Sequence, residues 1–162
     1  MILHPGRWTG RGSFVRQGQS LTTSVQCTFE ITSEGTGLTI QGTQTFPGSE
    51  HENSFSIRVT ANDVGTYDVD AQFADWQLDG TAKLESLPNL GMLWSEDGDT
   101  QVAFALFSAN NGTGLRGFSR AGKDLLTWEI AMQEKHVRVS GGNVVSLTRR
   151  RAAARKGRGP LR

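Results

Sequence analysis

The amino-acid sequence predicts an all-β fold, and three observations support this prediction. Short runs alternate between apolar and polar residues along most of the chain, which is the period of a strand with one buried face. Turn-forming residues separate these runs at intervals of roughly ten residues. The 162 residues include 20 glycines, and no stretch shows the longer period of an amphipathic helix. Together these features predict an antiparallel sheet of short strands.

The first strand is predicted almost at the start of the chain, over residues 6–14. Trp8, Gly10, Gly12 and Phe14 share one face of this strand, with a bulky residue at each end and glycines between them. Glycine inside a strand marks a bulge, a barrel corner or a close approach of another segment. The run therefore predicts a strand that packs tightly against its neighbours.

The clearest alternation follows at residues 24–32, where Val25, Cys27, Phe29 and Ile31 lie on one side. Turn residues at 33–37 join this strand to another over 38–44, as in a hairpin. Asp79-Gly80 is predicted to be a hairpin turn that leads into a strand over 81–87. Residues 101–108 are apolar on both faces, which predicts that this strand is covered on both sides. The remaining strands are predicted at 54–59, 66–73, 92–95, 115–120, 126–133, 136–140 and 143–148.

Connections this short imply antiparallel neighbours, so the sequence predicts a single up-and-down β-barrel of about 8–10 strands. A two-sheet sandwich satisfies the same pattern and stays open. Residues 1–148 are predicted to form the barrel domain. Residues 149–162 form a basic tail that is predicted to be disordered, because it lacks the apolar residues that could anchor it. The tail contains seven cations and no acid: Arg149, Arg150, Arg151, Arg155, Lys156, Arg158 and Arg162.

Composition excludes several classes of protein. Cys27 is the single cysteine, so an intrachain disulfide framework is excluded. No apolar run approaches the roughly 20 residues that a membrane helix needs. The first residues lack the charged and apolar regions of a signal peptide. We therefore expect a cytoplasmic protein without a membrane span.

The opening of the chain resembles a known superfamily. Gly6-x-Trp8 at the start of an all-β chain resembles the calycins, which include lipocalins, fatty-acid-binding proteins and nitrobindin-like barrels. The fuller run from Gly6 to Gly12 is similar to small bacterial lipocalin-like proteins of unknown function, whose first strand often reads Gly-x-Trp-x-Gly-x-Gly. The resemblance implies that Trp8 closes the base of the barrel against an arginine from a late strand, either Arg138 or Arg120.

The function that this sequence predicts is non-enzymatic binding of a small, largely hydrophobic ligand inside the barrel. A barrel filled by its own side chains is the alternative, and the ligand is not identified. The resemblance to nitrobindin-like barrels implies a second possibility, haem bound through His136. The candidate ligand contacts are the aromatic residues on the apolar strand faces: Trp8, Phe14, Phe29, Phe55, Tyr67, Phe73, Phe104 and Trp128.

Two further functions stay open. An enzyme would need an acid or base at the barrel mouth, for which Asp68 and His51 are the candidates. No catalytic motif supports it, so no catalytic residue is assigned, and the histidines lack the spacing of a metal site. The tail from Arg149 to Arg162 could bind RNA or anionic lipid through its charge. A solubilising tail is the preferred interpretation.

Overall fold

The computed structural model of the chain describes residues 2–49, 51–74 and 76–135. The predicted strands at 136–140 and 143–148, the basic tail, His136 and Arg138 lie outside the described residues. Ten strands form within them: β1 (Gly6–Arg16), β2 (Thr23–Glu34), β3 (Gly37–Thr45), β4 (Asn53–Ala61), β5 (Tyr67–Phe73), β6 (Trp76–Lys83), β7 (Asn89–Trp94), β8 (Thr100–Ala109), β9 (Gly112–Ala121) and β10 (Asp124–Glu134).

The strands form one closed antiparallel barrel in which each strand pairs with its neighbours in sequence. β1 and β10 close the barrel through a ladder that runs from Trp8 opposite Glu134 to Arg16 opposite Leu126. The predicted all-β, up-and-down barrel is therefore confirmed, and the two-sheet sandwich is wrong. None of the residues that the structure describes forms a helix that could cross a membrane.

The barrel has two ends, which we name after residues of β1. The Trp8 end carries the start of β1 and the connections at 35–36, 62–66 and 110–111. The Phe14 end carries the connections at 17–22, 46–52, 95–99 and 122–123. Because side chains alternate along each strand, every second residue points into the barrel.

The prediction of a turn at Asp79-Gly80 is wrong, because both residues lie in the middle of β6. Gly80 pairs with Val69 on one side and with Leu93 on the other. A Cβ atom at Gly80 would lie only 2.7 Å from the Cα of Leu93, so the glycine is required by close strand packing. The strand predicted over 81–87 ends at Lys83, and β7 begins at Asn89 rather than at residue 92.

The inward-facing residues form a single apolar core. Trp8, Val25, Ile31 and Leu78 are among its most buried members, each with 3% of its surface or less exposed. Gly10 and Gly12 of β1 face the same interior, where Cys27 and Ile130 occupy the space that their side chains would need. The bulky and small pattern of the first strand therefore reflects close packing of neighbours around β1.

Candidate ligand-binding site

The Trp8 end is closed by the residues that precede β1. Trp8 is 3% exposed, and its indole N–H donates a hydrogen bond to the carbonyl oxygen of His4 at 3.2 Å. The His4 ring lies 5.1 Å from the Trp8 ring, and Ile2 and Leu3 pack against the core. Trp8 is therefore buried at this end, in contact with the residues that precede β1, and its role in closing the barrel against an arginine stays a prediction.

Arg120 is not the partner of Trp8. It lies on β9 near the Phe14 end and points outward, and its Nε donates to the carbonyl oxygen of Gly122 at 3.2 Å. The other candidate partner, Arg138, lies outside the described residues.

Four of the predicted aromatic residues form a continuous series along the inner wall. Trp8 stacks on Phe29 with ring centroids 6.3 Å apart and planes 6° apart. Phe29 lies 6.3 Å from Phe55, and Phe55 lies 5.8 Å from Phe73. The series therefore connects the closed Trp8 end with the Phe14 end, where β5 finishes.

A glycine allows this series to cross from β2 to β4. Gly42 of β3 lies between Phe29 and Phe55 in the ladder. A Cβ atom at Gly42 would lie 2.5 Å from the Cβ of Phe29, so any larger residue would separate the two rings. The contact between Phe29 and Phe55 depends on register across three strands, which the sequence pattern alone does not give.

A glycine also lies between two aromatic residues on the opposite side of the barrel. Gly117 of β9 lies between Phe104 and Trp128 in the ladder, and the Trp128 ring comes within 2.6 Å of the position that a Cβ there would take. The Phe104 ring covers Gly91 of β7 in the same way. Both rings therefore lie close to the backbone of a glycine on a neighbouring strand.

Phe14 contacts a residue that sequence reasoning missed. Its ring lies 6.0 Å from the ring of Phe46, which follows β3 at the Phe14 end. The alternation Leu38, Ile40, Gly42 and Gln44 continues to residue 46, so the strand period could have placed Phe46 on the inner face.

The eight predicted aromatic residues differ in burial according to their position. Trp8, Phe29 and Tyr67 are buried, with exposures of 3%, 8% and 7%. The other five retain intermediate exposure, although the strand alternation directs them inward: Phe14, Phe55, Phe73, Phe104 and Trp128. The inner wall is thus more accessible toward the Phe14 end, and binding of a ligand there stays a prediction.

Tyr67 lies at the Trp8 end, and its hydroxyl group is already engaged. The phenol donates a short hydrogen bond to the carboxylate of Glu85. This hydrogen bond, together with partial burial and the negative charge of Glu85, raises the pKa of Tyr67. The phenol therefore has a structural partner within the chain and lies away from the accessible wall.

Cys27 faces the interior over Gly10, and burial raises the pKa of its thiol. A thiol with a raised pKa is protonated at neutral pH and is a weak nucleophile. The residue therefore packs against the core as a small apolar side chain.

The candidate catalytic groups lie outside the barrel. Asp68 points outward from β5 and accepts a hydrogen bond from the side-chain amide of Asn62 at 3.0 Å. His51 is exposed in the loop between β3 and β4. Across residues 2–49, 51–74 and 76–135, no three His, Cys, Asp or Glu side chains come together in a way that could hold a metal ion.

Two open depressions lie on the surface, and none of the eight predicted aromatic residues lines either of them. The first, of about 310 Å³, lies beside β3 and β4; the second, of about 530 Å³, lies at the Phe14 end. The second depression is lined by Trp76, Gln77, Leu78, Ser95, Glu96, Asp97 and Thr100.

Comparison of the chain with protein-family models, with curated proteins and with solved structures found no significant match.

Proposed function

We propose that the barrel binds a small, largely apolar molecule against the inward-facing aromatic residues of its Phe14 end. The observation that carries this proposal is the uneven burial of the inner wall. Trp8 and Phe29 are fully packed, whereas Phe55, Phe73 and Trp128 face inward and still keep part of their surface exposed. A barrel that its own side chains filled and covered at both ends would bury these rings as completely as those at the Trp8 end.

The chemistry of the inner wall defines the class of ligand. The other inward positions of this region include Gln44, Val102, Ser119 and Leu126, none of which carries a charge. The charged residues of the same alternation, Arg16 and Asp124, are exposed at the ends of β1 and β10. Ligand pockets of this kind gain affinity from apolar burial and orientation from a few polar groups. The wall therefore favours a neutral, mainly apolar ligand with one or two hydrogen-bonding groups.

We also propose that the chain is a distant member of the calycin superfamily. Two observations support this: the Gly6-x-Trp8 opening and the closed meander whose first strand places Trp8 at the sealed end.

The first test is a native mass spectrum of freshly purified full-length protein, compared with its denatured spectrum. We expect extra mass that is lost on denaturation and that gives the mass of the ligand. A loss with the mass of haem would contradict a small apolar ligand and would favour the tetrapyrrole alternative.

The second test is a titration with the neutral fluorescent probe N-phenyl-1-naphthylamine. We expect Phe55→Ala and Trp128→Ala each to weaken binding by about fivefold or more, since each ring would supply a large contact area. The control is Val64→Ala, an apolar residue of the connection at 62–66 that is 83% exposed and belongs neither to the inner wall nor to the Phe14 end. Unchanged affinity in both inner variants, or an equal loss in the control, would contradict the proposal.

A further inference from the structure

The outer surface of β7, β8 and β9 carries a continuous apolar region, which we call the outer patch. Its larger members expose between 40% and 54% of their surface. Neighbouring strands bring them together, because Met92 lies opposite Ala103 and Ala103 lies opposite Phe118. The outer patch consists of Leu90, Met92, Trp94, Ala103, Ala105 and Phe118.

This composition is not general to the outside of the barrel. The outward residues of β2–β5 are polar, as Thr28, Gln41, Ser56 and Asp70 illustrate. Contiguous exposed apolar patches on a protein surface mark sites of interaction. The sequence pattern indicates the same, because the apolar character of both faces of β8 predicts that this strand is covered on both sides.

We propose that the outer patch is the interface of a symmetric homodimer whose two-fold axis runs parallel to the strands, between β7 and β8. The barrel is closed, so within the described residues it offers no strand edge for sheet extension. Association through this region therefore takes place face to face, as in two packed sheets.

The shape of the outer patch is complementary to itself under this symmetry. β7 presents a row of large side chains, Leu90, Met92 and Trp94, and the facing positions on β8 are Ala105, Ala103 and Gln101. A two-fold axis between these strands places the β7 ridge of each protomer over the β8 groove of the other. An isologous interface requires this kind of self-complementarity.

The charges around the outer patch follow the same symmetry. One row across the sheet runs through Asp79, Trp94, Gln101 and Arg120. The two-fold axis brings Asp79 of one protomer opposite Arg120 of the other. Among the described residues, the Arg120 guanidinium forms no ion pair, so it is available to the partner's carboxylate.

Another row brings Lys83 opposite Arg116, which would place two cations near each other. The charge of Arg116 is already compensated, because its Nη2 lies 2.9 Å from the carboxylate of Glu129. The ammonium group of Lys83 donates to the carbonyl oxygen of Leu87 at 3.4 Å. These contacts reduce the repulsion and leave the pair of Asp79 and Arg120 as the orienting charge contact.

The area of the outer patch suits a dimer of moderate affinity. Its four large side chains expose about 370 Å² if each has a total surface of about 200 Å². A standard interface buries about 800 Å² per partner, of which roughly 60% is apolar. The outer patch supplies most of this apolar part, and the flanking polar rows supply the rim.

The test is sedimentation equilibrium of the full chain across the micromolar range, with far-UV circular dichroism as the control for folding. We expect a monomer–dimer equilibrium that Met92→Lys weakens by about 100-fold or more, because the ammonium group would be buried without a partner. The matched control, Gln41→Lys on the outside of β3, should dimerise like the wild type. A dimer that is insensitive to Met92→Lys would overturn the proposal.

A charge exchange tests the orientation of the axis. Asp79→Arg and Arg120→Asp should each weaken the dimer about tenfold or more, and the double variant should recover most of the lost affinity. Failure of the double variant to recover would overturn the proposed axis. A wild-type chain that stays monomeric throughout would overturn the proposal.

Discussion

The wall formed by β2–β5 and the wall formed by β7–β9 bury similar residues inside the barrel and present different residues outside it. Inside, Ile31 and Val59 of the first wall and Leu93 and Leu106 of the second are all 5% exposed or less. Outside, the first wall is polar, whereas the second carries the outer patch. The difference shows that the fold constrains the inner surface of every wall, whereas it leaves the outer surface free to differ from wall to wall.

The inner surfaces should respond alike to the loss of a large side chain. We expect Ile31→Ala in β2 and Leu106→Ala in β8 each to lower the free energy of unfolding by about 2–5 kcal/mol, through lost burial and the cavity that remains. Urea unfolding of both variants measures this. If one wall tolerated the change at a cost below about 1 kcal/mol, the inner surfaces would not be equivalent.

Tyr67 lies on the inner surface of the wall formed by β2–β5. It differs from the apolar inner residues compared above because its hydroxyl group forms a hydrogen bond. We expect Tyr67→Phe to cost about 1.5–3 kcal/mol, because it removes a hydrogen bond to a carboxylate. The raised pKa of Tyr67 stabilises the folded protein fully below the ordinary value of 10.0 and is lost as the pH rises through the folded value. Wild-type stability should therefore fall in this alkaline range more steeply than that of Tyr67→Phe, and parallel curves from pH 9 upward would contradict this account.

Asp79 of β6 lies at the boundary between the two walls. Desolvation, a hydrogen bond with Asp70 and the charges of Asp70 and Glu96 raise the pKa of Asp79. An acid with a raised pKa stabilises the folded state below its ordinary value of 3.8, and this contribution is lost as the pH rises through the folded value. In dilute protein we expect the urea midpoint of the wild type to fall over this pH range and that of Asp79→Asn not to show this fall. An unchanged pH profile in the variant would argue against the interaction between Asp79 and Asp70.

The smallest effects on stability are expected from exchanging the outer surfaces. Met92→Gln and Gln41→Met should each change the stability of the monomer by less than about 0.5 kcal/mol, since both positions face solvent in the monomer. Their solubility should change in opposite directions, rising for Met92→Gln and falling for Gln41→Met, as precipitation with ammonium sulfate would show. Equal solubility of the two variants would contradict the view that the polar outer surface of β2–β5 and the apolar outer surface of β7–β9 differ in their interactions.

The sequence predicts most of this fold because alternation depends only on local burial. Val25, Phe29 and Ile31 alternate with polar neighbours and face inward as expected. Gly80 was misassigned for a physical reason: glycine in a turn and glycine beneath a neighbouring strand leave the same local pattern. Only the register shows that Leu93 packs against it.

The candidate site is less predictable than the fold. The sequence places Phe29 and Phe55 on apolar faces, but their contact depends on Gly42 lying between them in the ladder. Trp8 is more buried than Trp128 because the residues before the first strand, among them His4, pack against the Trp8 end of the barrel. Contacts between segments that are distant in the sequence therefore determine which aromatic residues are packed and which stay accessible.

The ladder between β1 and β10 also determines how the chain can fold. Every other ladder joins strands that follow one another in the sequence. In the closing ladder, even the paired residues that are nearest in sequence, Arg16 and Leu126, are more than a hundred residues apart. Closing so long a loop costs about 3 kcal/mol more in chain entropy than closing a hairpin. We therefore expect the meander to form first as an open sheet, with β1 and β10 as temporary edges. During that interval the chain is exposed to intermolecular strand pairing, which closure of the barrel then ends.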